Sequence, residues 1–387
     1  MIKRLLLLAA VACLFACSSS SPQGAKKKVK LRSAALVKFE AQTRLKKDWS
    51  VKLGSGVNKR YGALQPAING DTLYLADAKG KVFSVNGKTG KKNWSVDTKT
   101  NIGGAIASYG DLLSFGTLDG QVITLSAVDG SEKWRAEVSS EVIARPAISK
   151  GVVVAQSIDG RLWAFNSETG EKKWRYDHTV PILTLRGASS PVIVRKQVIA
   201  AFDNGQVLSF GIDEGSIQWS ARVSQASGRT DLDKIVDVDG SPVVEGSLVY
   251  AASYHGSVLA FSRAQGKSIW KQALSTSEPL AVNYQQVVGV SEESYVYAFN
   301  ASNGGLLWKN TQLKLRGLAA PAHIGEYVAV IDSDDYLHLL SNTDGSFAYR
   351  FKPSGGGFRS PMTAYDGGLL VFSDDGRLTL YKISSKK

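Results

Sequence analysis

Cysteine is nearly absent from this sequence. The only two cysteines, Cys13 and Cys17, both lie within the first seventeen residues. If a leader is cleaved before Cys17, that residue carries the only thiol of the mature chain. This excludes a disulfide within the chain, a catalytic thiol elsewhere in the fold and a cysteine-based metal site. A chain of 387 residues can bury a core that is large enough to fold without disulfides.

Histidine is also scarce, and its pattern does not indicate a metal site. There are four histidines without metal-ligand spacing, each expected on the surface or in a turn: His178, His255, His323 and His338. No nucleophile elbow and no phosphate-binding glycine loop occurs in the sequence. We therefore predict no catalytic residue, no metal and no cofactor, and we do not expect an enzyme.

Two acidic clusters could suggest calcium, and neither fits. Asp231, Asp233, Asp237 and Asp239 lack the third acidic ligand at two-residue spacing and the closing glutamate of a calcium loop. The second cluster, residues 332–335, falls in a predicted turn, where aspartate is favoured by turn geometry alone.

The N-terminus reads as an export signal with a lipid-attachment site. Lys3 and Arg4 precede a short apolar run that is too short to span a bilayer. The run ends in Leu14-Phe15-Ala16-Cys17, which resembles a bacterial lipobox and implies a signal peptide of residues 1–16 with lipidation of Cys17. Ser18 follows Cys17, which implies sorting to the outer membrane on its periplasmic side. An ordinary signal peptide remains the alternative.

The formal net charge of +13 is concentrated in one stretch. Residues 18–47 contain one acid, Glu40, and the following bases: Lys26, Lys27, Lys28, Lys30, Arg32, Lys38, Arg44, Lys46 and Lys47. The rest of the mature chain is nearly neutral, so we predict no nucleic-acid partner. We interpret residues 17–43 as a lipid anchor with a basic flexible linker that contacts anionic head groups, and residues 44–384 as the folded domain.

The domain is built from a repeat of about 40 residues. In the best copies, Asp119-Gly120 leads to Gly130 and Trp134, and Asp159-Gly160 leads to Gly170 and Trp174. The first turn lies ten residues before the second, and the aromatic residue follows four residues later. A period near 40 without a helical pattern predicts four short strands per unit, which is a propeller blade. Glycine supplies the positive φ of the turns, and we expect the aromatic ring to pack between blades.

The two ends of the chain complete one another. An eighth turn, Asp375-Gly376, is followed by strand-like sequence and then by the end of the chain, whereas Trp49 has no turn before it. We therefore predict an all-β, eight-bladed β-propeller of four-stranded antiparallel blades, with the ring closed by an N-terminal strand near Trp49. Pairing the two ends removes a free sheet edge. We expect the propeller to be monomeric.

Two neighbouring blade connections are longer than the others. From the outer-strand aromatic to the proline that opens the next blade, the connections after Trp134, Trp308 and Tyr349 run 12 or 13 residues, whereas Trp174 to Pro191 is 17 and Trp219 to Pro242 is 23. Trp49 to Pro66 is also 17, but this connection belongs to the closing blade. We expect both connections to emerge side by side on one face of the ring. The first carries Ile182, Leu183, Leu185 and Arg186, an apolar and arginine mixture that is favoured at interface centres, and the second carries aspartates. The alternative is that the leucines fold back onto their own blade.

The repeats resemble those of quinoproteins, and the whole mature chain resembles the BamB family, the lipoprotein subunits of the outer-membrane β-barrel assembly machinery. The resemblance rests on the lipobox, the cysteine-free ring, Leu183-Thr184-Leu185-Arg186-Gly187, Ser224-Gln225-Ala226-Ser227-Gly228 and Asp237-Val238-Asp239. It implies a non-enzymatic scaffold that binds the periplasmic POTRA domains of BamA through Leu183, Leu185, Arg186, Asp237 and Asp239. Unfolded outer-membrane proteins are a further expected class of partner.

Two other functions remain open at this stage. The quinoprotein-like repeat also occurs in quinone-dependent periplasmic dehydrogenases, which hold the quinone over Ca²⁺. The basic linker would also suit a binder of the cell wall or of lipopolysaccharide.

Overall fold

The computed structural model describes residues 32–57, 64–178, 189–224, 238 and 240–385. The predicted signal peptide and Cys17 lie outside these residues. From Ser33 onward the chain forms one compact unit. In the described ranges, no helix is long and apolar enough to cross a membrane.

All the secondary structure of the described chain is β-strand. In chain order, the strands are β1 (Thr43–Lys52), β2 (Ala67–Asn69), β3 (Thr72–Ala76), β4 (Lys81–Asn86), β5 (Lys92–Asp97), β6 (Ala107–Tyr109), β7 (Leu112–Gly116), β8 (Gln121–Ser126), β9 (Glu132–Glu137), β10 (Ala147–Ser149), β11 (Val152–Gln156), β12 (Leu162–Phe165), β13 (Lys172–Tyr176), β14 (Val192–Val194), β15 (Gln197–Ala201), β16 (Gln206–Gly211), β17 (Ile217–Arg222), β18 (Val243–Glu245), β19 (Leu248–Ala252), β20 (Ser257–Ser262), β21 (Ser268–Ala273), β22 (Ala281–Val282), β23 (Gln286–Val290), β24 (Val296–Asn300), β25 (Leu306–Asn310), β26 (Ala322–Ile324), β27 (Tyr327–Ile331), β28 (Leu337–Ser341), β29 (Phe347–Phe351), β30 (Thr363–Tyr365), β31 (Gly368–Phe372) and β32 (Arg377–Ser385).

The strands form eight four-stranded antiparallel sheets, which confirms the predicted eight-bladed propeller. Blades 1 to 7 each use four consecutive strands, from β2–β5 in blade 1 to β26–β29 in blade 7. Blade 8 combines β30, β31 and β32 with β1, so the N-terminal strand closes the ring as expected. Trp49 of β1 pairs with Leu380 of β32, next to a register shift between Lys47 and Trp49.

Each outer-strand tryptophan joins its blade to the next one. Gly215 adopts φ +70° in the turn before β17, and its Cα lies so close to the indole of Trp174 that an added Cβ would be 2.6 Å from the ring. The Nε1 of Trp174 donates a hydrogen bond to the carbonyl oxygen of Ile212 over 2.9 Å. The same tryptophan-to-turn hydrogen bond recurs at Trp49, Trp94, Trp134, Trp219, Trp270 and Trp308. The predicted packing of these rings between blades is confirmed.

The connections between blades share one end of the ring with the turn between the second and third strands of each blade. The amide of Thr98, in the connection after β5, donates to the carbonyl of Gly80 in such a turn. Ile102 of the same connection bridges to Thr117, which lies in the matching turn of blade 2. We call this end of the ring, formed by the blade connections and by these turns, the connection face.

The residues that precede β1 pack against blade 7. Val37 and Phe39 lie against the apolar core of blades 6 and 7. Lys38, between them, and Glu40, which follows Phe39, are exposed. The amide of Gln42 donates to the carbonyl of Ala348 in β29 over 2.9 Å. We call residues 33–42 the strap. The chain is therefore packed on the propeller already before residue 44, where the sequence analysis placed the start of the domain.

Candidate protein-binding site on the connection face

The residues that the sequence analysis selected for partner binding all lie outside the described chain. They are Leu183, Leu185, Arg186, Asp237 and Asp239. Their role stays a prediction, and the structure describes the residues on either side of them. These flanks are residues 177–178 and 189–191 of the first long connection, and residues 223–224, 238 and 240–242 of the second.

The described ends of the two long connections lie side by side. The amide of Ser190, at the end of the first connection, donates to Oγ of Ser241, at the end of the second, over 2.9 Å. The Oγ of Ser190 in turn accepts a hydrogen bond from the amide of Arg145 over 3.0 Å. Three successive connections are thus joined through one serine. The sequence analysis expected the two long connections to be neighbours, and these hydrogen bonds confirm it for their ends.

Val238 anchors the second connection to the propeller. Its side chain is fully buried and packs in one apolar cluster with Trp219 and Val223. Val238 stands between Asp237 and Asp239 in the sequence. An apolar contact therefore fixes the position of the chain between the two candidate acidic residues, because burying a valine stabilises one docked position by about 1.5–3 kcal/mol.

Blade 4, which lies between the two connections, presents an aromatic and acidic turn on the connection face. The rings of His178 and Phe202 lie 4.4 Å apart between centroids, and Tyr176 packs on Phe202 at 5.8 Å. Burial lowers the pKa of His178, against an opposing hydrogen bond with Asn204. Burial also raises the pKa of Asp203 to about 6. Neither Asp203 nor this aromatic group was selected from the sequence.

The first long connection has a second copy in the chain. Leu183-Thr184-Leu185-Arg186-Gly187 and Leu313-Lys314-Leu315-Arg316-Gly317 have the same spacing to Pro191 and Pro321, the prolines that open blades 4 and 7. Aligning the connections on these prolines would have revealed the copy from the sequence. The structure describes the second copy completely.

In that copy the motif serves the fold. Leu313 is fully buried, and Leu315 and Gly317 adopt positive φ of 58° and 59°. The Arg316 side chain is buried, and its Nε donates to Oδ2 of Asp332 over 2.6 Å while its Nη2 donates to Oδ2 of Asp334 over 2.8 Å. Burial alone would raise the pKa of Asp332, but the hydrogen bonds from His338 and Arg316 hold it below its ordinary value.

The same network holds the strap. His338 hydrogen bonds through Nε2 to Asp332 over 2.9 Å and accepts at Nδ1 from Nε of Arg350. Arg316 and Arg350 then donate to the backbone carbonyls of Ala34 and Val37, each over 3.0 Å. The expectation that every histidine lies at the surface or in a turn is wrong for His338, which is completely buried. The view that residues 332–335 serve turn geometry alone is also wrong, because Asp332 neutralises a buried arginine.

The two carboxylates that neutralise Arg316 in blade 7 have no counterparts in blade 4. The positions that align with Asp332 and Asp334 hold Phe202 and Asn204. A carboxylate at the position between them, Asp203, has no ion pair within the described residues and is half-buried. The sequence around Arg186 therefore repeats the motif around Arg316. The two carboxylates that neutralise Arg316 in blade 7 are not repeated in blade 4.

Two further charged groups lie where the connections reach the inner strands. Burial raises the pKa of Glu278 to about 7, opposed by a hydrogen bond from the amide of Ala320. Arg145, by contrast, is exposed. In the described ranges, no group of three or more histidine, cysteine, aspartate or glutamate side chains could hold a metal ion.

Comparison with known proteins gives one family. The family model described as "Outer membrane protein assembly factor BamB" matches residues 16–101, 85–310 and 292–387. The chain is 40% identical over 381 residues to the outer membrane protein assembly factor BamB of Pseudomonas aeruginosa, covering 98% of this chain and 99% of that protein. The crystal structure of BamB from Moraxella catarrhalis has 28% identity and a TM-score of 0.79, covering 88% of this chain and 100% of that one.

The likeness to quinone enzymes concerns the fold alone. The quinohemoprotein alcohol dehydrogenase of Comamonas testosteroni superposes with a TM-score of 0.69 at 13% identity, covering 87% of this chain and 76% of the enzyme. At this identity, a shared propeller does not carry a shared activity.

Proposed function

The chain belongs to the family of the outer membrane protein assembly factor BamB, non-enzymatic lipoproteins of the outer membrane that face the periplasm, and on this premise we propose that it binds the periplasmic POTRA domains of BamA through its two long connections. The propeller then acts as a scaffold that aids the folding and insertion of β-barrel proteins. Cys17 attaches it to the membrane by its lipid.

The observation that supports this proposal most directly is the contrast between the two copies of the leucine–arginine motif. Arg316 is neutralised within the chain by Asp332 and Asp334, whereas the aligned residues of blade 4 are Phe202 and Asn204. An arginine without these partners is suited to pair with a carboxylate of another protein. Arginine is also enriched among the residues that dominate binding energy at interfaces.

We assign the roles from the chemistry of the side chains. Leu183 and Leu185 fill an apolar pocket on a POTRA domain, and Arg186 pairs with a carboxylate beside it. Asp237 and Asp239 bind a basic group of the partner or orient Arg186 from the neighbouring connection. Support for this two-part contact comes from the hydrogen bond between Ser190 and Ser241 and from the buried anchor Val238. Truncation of a central anchor costs about 2 kcal/mol or more of binding free energy.

Affinity purification of the tagged, membrane-extracted protein tests the proposal. We expect the wild type to retain BamA and the variant Leu185→Ala/Arg186→Ala to lose it. The matched control is Leu306→Ala/Lys309→Ala, which also removes one leucine and one cation, from the exposed outer strand of blade 6. Retention of BamA by the Leu185→Ala/Arg186→Ala variant at the level of the control would refute the assignment of the site.

A further inference from the structure

The outer strands of the blades differ in the residues that precede their tryptophan. In blade 4 the exposed apolar residue is Ile217, two positions before Trp219. In blade 5 it is Ile269, directly before Trp270, and blade 6 has one at each position, namely Leu306 and Leu307. Blades 1, 2 and 3 carry exposed polar and charged residues there, namely Lys92, Asn93, Glu132, Lys133, Lys172 and Lys173. We call the outer edges of β17, β21 and β25 the apolar rim. Isolated apolar residues are common on surfaces, but exposed apolar residues on the outer strands of three successive blades indicate an interaction site.

Blade 7 shows what occupies such an edge. Its aligned residue, Phe347, is also apolar but only 6% exposed, compared with 52% for Ile217 and 57% for Leu306. The strap covers it, because the rings of Phe39 and Phe347 stack with 5.3 Å between centroids. Phe347 is therefore the blade 7 counterpart of Ile217 and Leu306, and an extended segment of the same chain already covers it.

The strap binds the edge of blade 7 as an extended peptide. Val37 and Phe39 face the propeller while Lys38 and Glu40 face solvent, which is the two-residue alternation of a strand. Its backbone is held by the hydrogen bond from Gln42 to Ala348 and by the guanidinium of Arg350, which donates to the carbonyl of Val37. Recognition thus combines backbone hydrogen bonds with alternate apolar side chains, as in strand addition to a sheet edge.

The edges of blades 4, 5 and 6 offer the same features without an occupant among the described residues. β17, β21 and β25 are the terminal strands of their sheets, so their outer backbone groups are not paired within the sheet. Unpaired edges with exposed apolar residues are templates for another strand.

We propose that the apolar rim binds extended segments of an unfolded polypeptide in which apolar and polar residues alternate. Transmembrane β-strands have this pattern over about ten residues, so the unfolded β-barrel proteins that the scaffold serves are the occupants. This identification of the occupants rests on the proposed function. The binding mode itself rests on the strap, which occupies the aligned edge of blade 7.

Photo-crosslinking on the full-length protein tests the proposal. p-Benzoylphenylalanine replaces Ile217, Ile269 or Leu306, and in matched controls it replaces Lys92, Lys133 or Lys173. The probe is a biotinylated peptide of about ten residues with alternating valine and threonine, and the control peptide has the same composition with all its valines in one block. We expect stronger crosslinks to the alternating peptide from the first three positions than from the controls.

A second variant makes the outcome quantitative. Ile217→Ser/Ile269→Ser/Leu306→Ser/Leu307→Ser removes only exposed side chains, and we expect it to weaken binding of the alternating peptide about tenfold. Equal crosslinking at all six positions, equal binding of both peptides, or an adduct with the mass of two copies of this chain would each overturn the proposal.

The two proposals fail separately. The serine variant is expected to retain BamA, and Leu185→Ala/Arg186→Ala is expected to retain the alternating peptide. Loss of BamA from the serine variant would place the apolar rim in the BamA contact and overturn its role in client binding. Normal BamA binding together with unchanged peptide binding would overturn the rim and leave the proposed function intact.

Discussion

Arg316 and Asp332 form an ion pair in which both side chains are almost completely buried, with 2.6 Å between Nε and Oδ2. Asp332 also accepts a hydrogen bond from His338, and Arg316 also donates a hydrogen bond to the backbone carbonyl of Ala34 in the strap. One arginine in a blade connection thus links a turn, a strand and the N-terminal segment. The motif that surrounds it recurs at Arg186, where the aligned partners are missing. Mutation of the two arginines should therefore have different effects on the stability of the propeller.

Arg316→Ala should destabilise the propeller, and Arg186→Ala should leave its stability unchanged. Removing Arg316 leaves the buried carboxylate of Asp332 without its main neutralising partner, which costs about 3–5 kcal/mol. The midpoint of urea unfolding, followed by tryptophan fluorescence, measures both variants. If Arg186→Ala lowers the midpoint as far as Arg316→Ala does, Arg186 is neutralised within the chain and the proposed contact with BamA loses its main support.

Gly215→Ala should destabilise the fold more than Gly246→Ala. Both glycines have positive φ, of 70° and 58°, which costs an alanine about 1–2 kcal/mol. A Cβ at Gly215 would lie 2.6 Å from the indole of Trp174, whereas a Cβ at Gly246 meets nothing within 4 Å. The clash adds about 1–3 kcal/mol. Thermal unfolding by circular dichroism compares the two variants, and equal losses would show that the indole moves away freely.

Glu278→Gln should stabilise the protein at alkaline pH and have little effect near pH 4.5. Burial raises the pKa of Glu278 to about 7, so the folded state binds the proton more tightly than the unfolded state does. The stability that this proton provides is present at low pH and is lost as the pH rises through 7, by about 3 kcal/mol. Melting temperatures at several pH values measure the effect. Glu245→Gln, at the exposed end of β18, is the control. A gain for Glu278→Gln that does not depend on pH would contradict the assignment.

Phe39→Ala should loosen the strap and accelerate tryptic cleavage after Lys38. The ring of Phe39 stacks on Phe347 and lies under the guanidinium of Arg350, 5.0 Å from the ring centroid. Loss of an aromatic pair costs about 0.5–1.5 kcal/mol beyond the area exposed, and protease cleavage follows the population of the open segment. Ser33→Ala, at an exposed strap position, is the control. Unchanged cleavage of Phe39→Ala would show that Arg316 and Arg350 hold the strap without the ring.

The blade count and the ring closure follow from the sequence because the interactions behind them are local and periodic. Trp174 and Gly215 occur at fixed spacings in their repeats, and the structure places one on the other. Trp49 lacks a turn before it and the last repeat lacks its outer strand, and these two facts together predicted the pairing of Trp49 with the C-terminal strand. Repetition makes such contacts visible in a single chain.

The buried network of blade 7 and the strap could not be predicted in the same way. The network consists of hydrogen bonds between side chains from different parts of blade 7, and no repeat in the sequence reveals them. Its members are Arg316, Asp332, His338 and Arg350. Val37 and Phe39 stand in a lysine-rich stretch that has the composition of a linker. Their docking depends on the apolar and aromatic surface of blade 7, which the sequence of the stretch does not reveal. For the candidate site, the unusual lengths selected the two connections, because length is read directly from the sequence. The individual residues were implied by the family resemblance and stay a prediction.

The pairing of Trp49 with Leu380 also determines when the ring can close as the chain is made and folds. The chain is made and exported from its N-terminus, so β1 exists long before β32, the strand it needs as a neighbour. Seven blades can form while the circle is still open, and the last event joins residues that are separated by almost the entire chain. Contacts of such high sequence separation form slowly. A chain interrupted shortly before its end would therefore lose its closing blade and leave β1 without a partner, which distinguishes an incomplete molecule from a finished one.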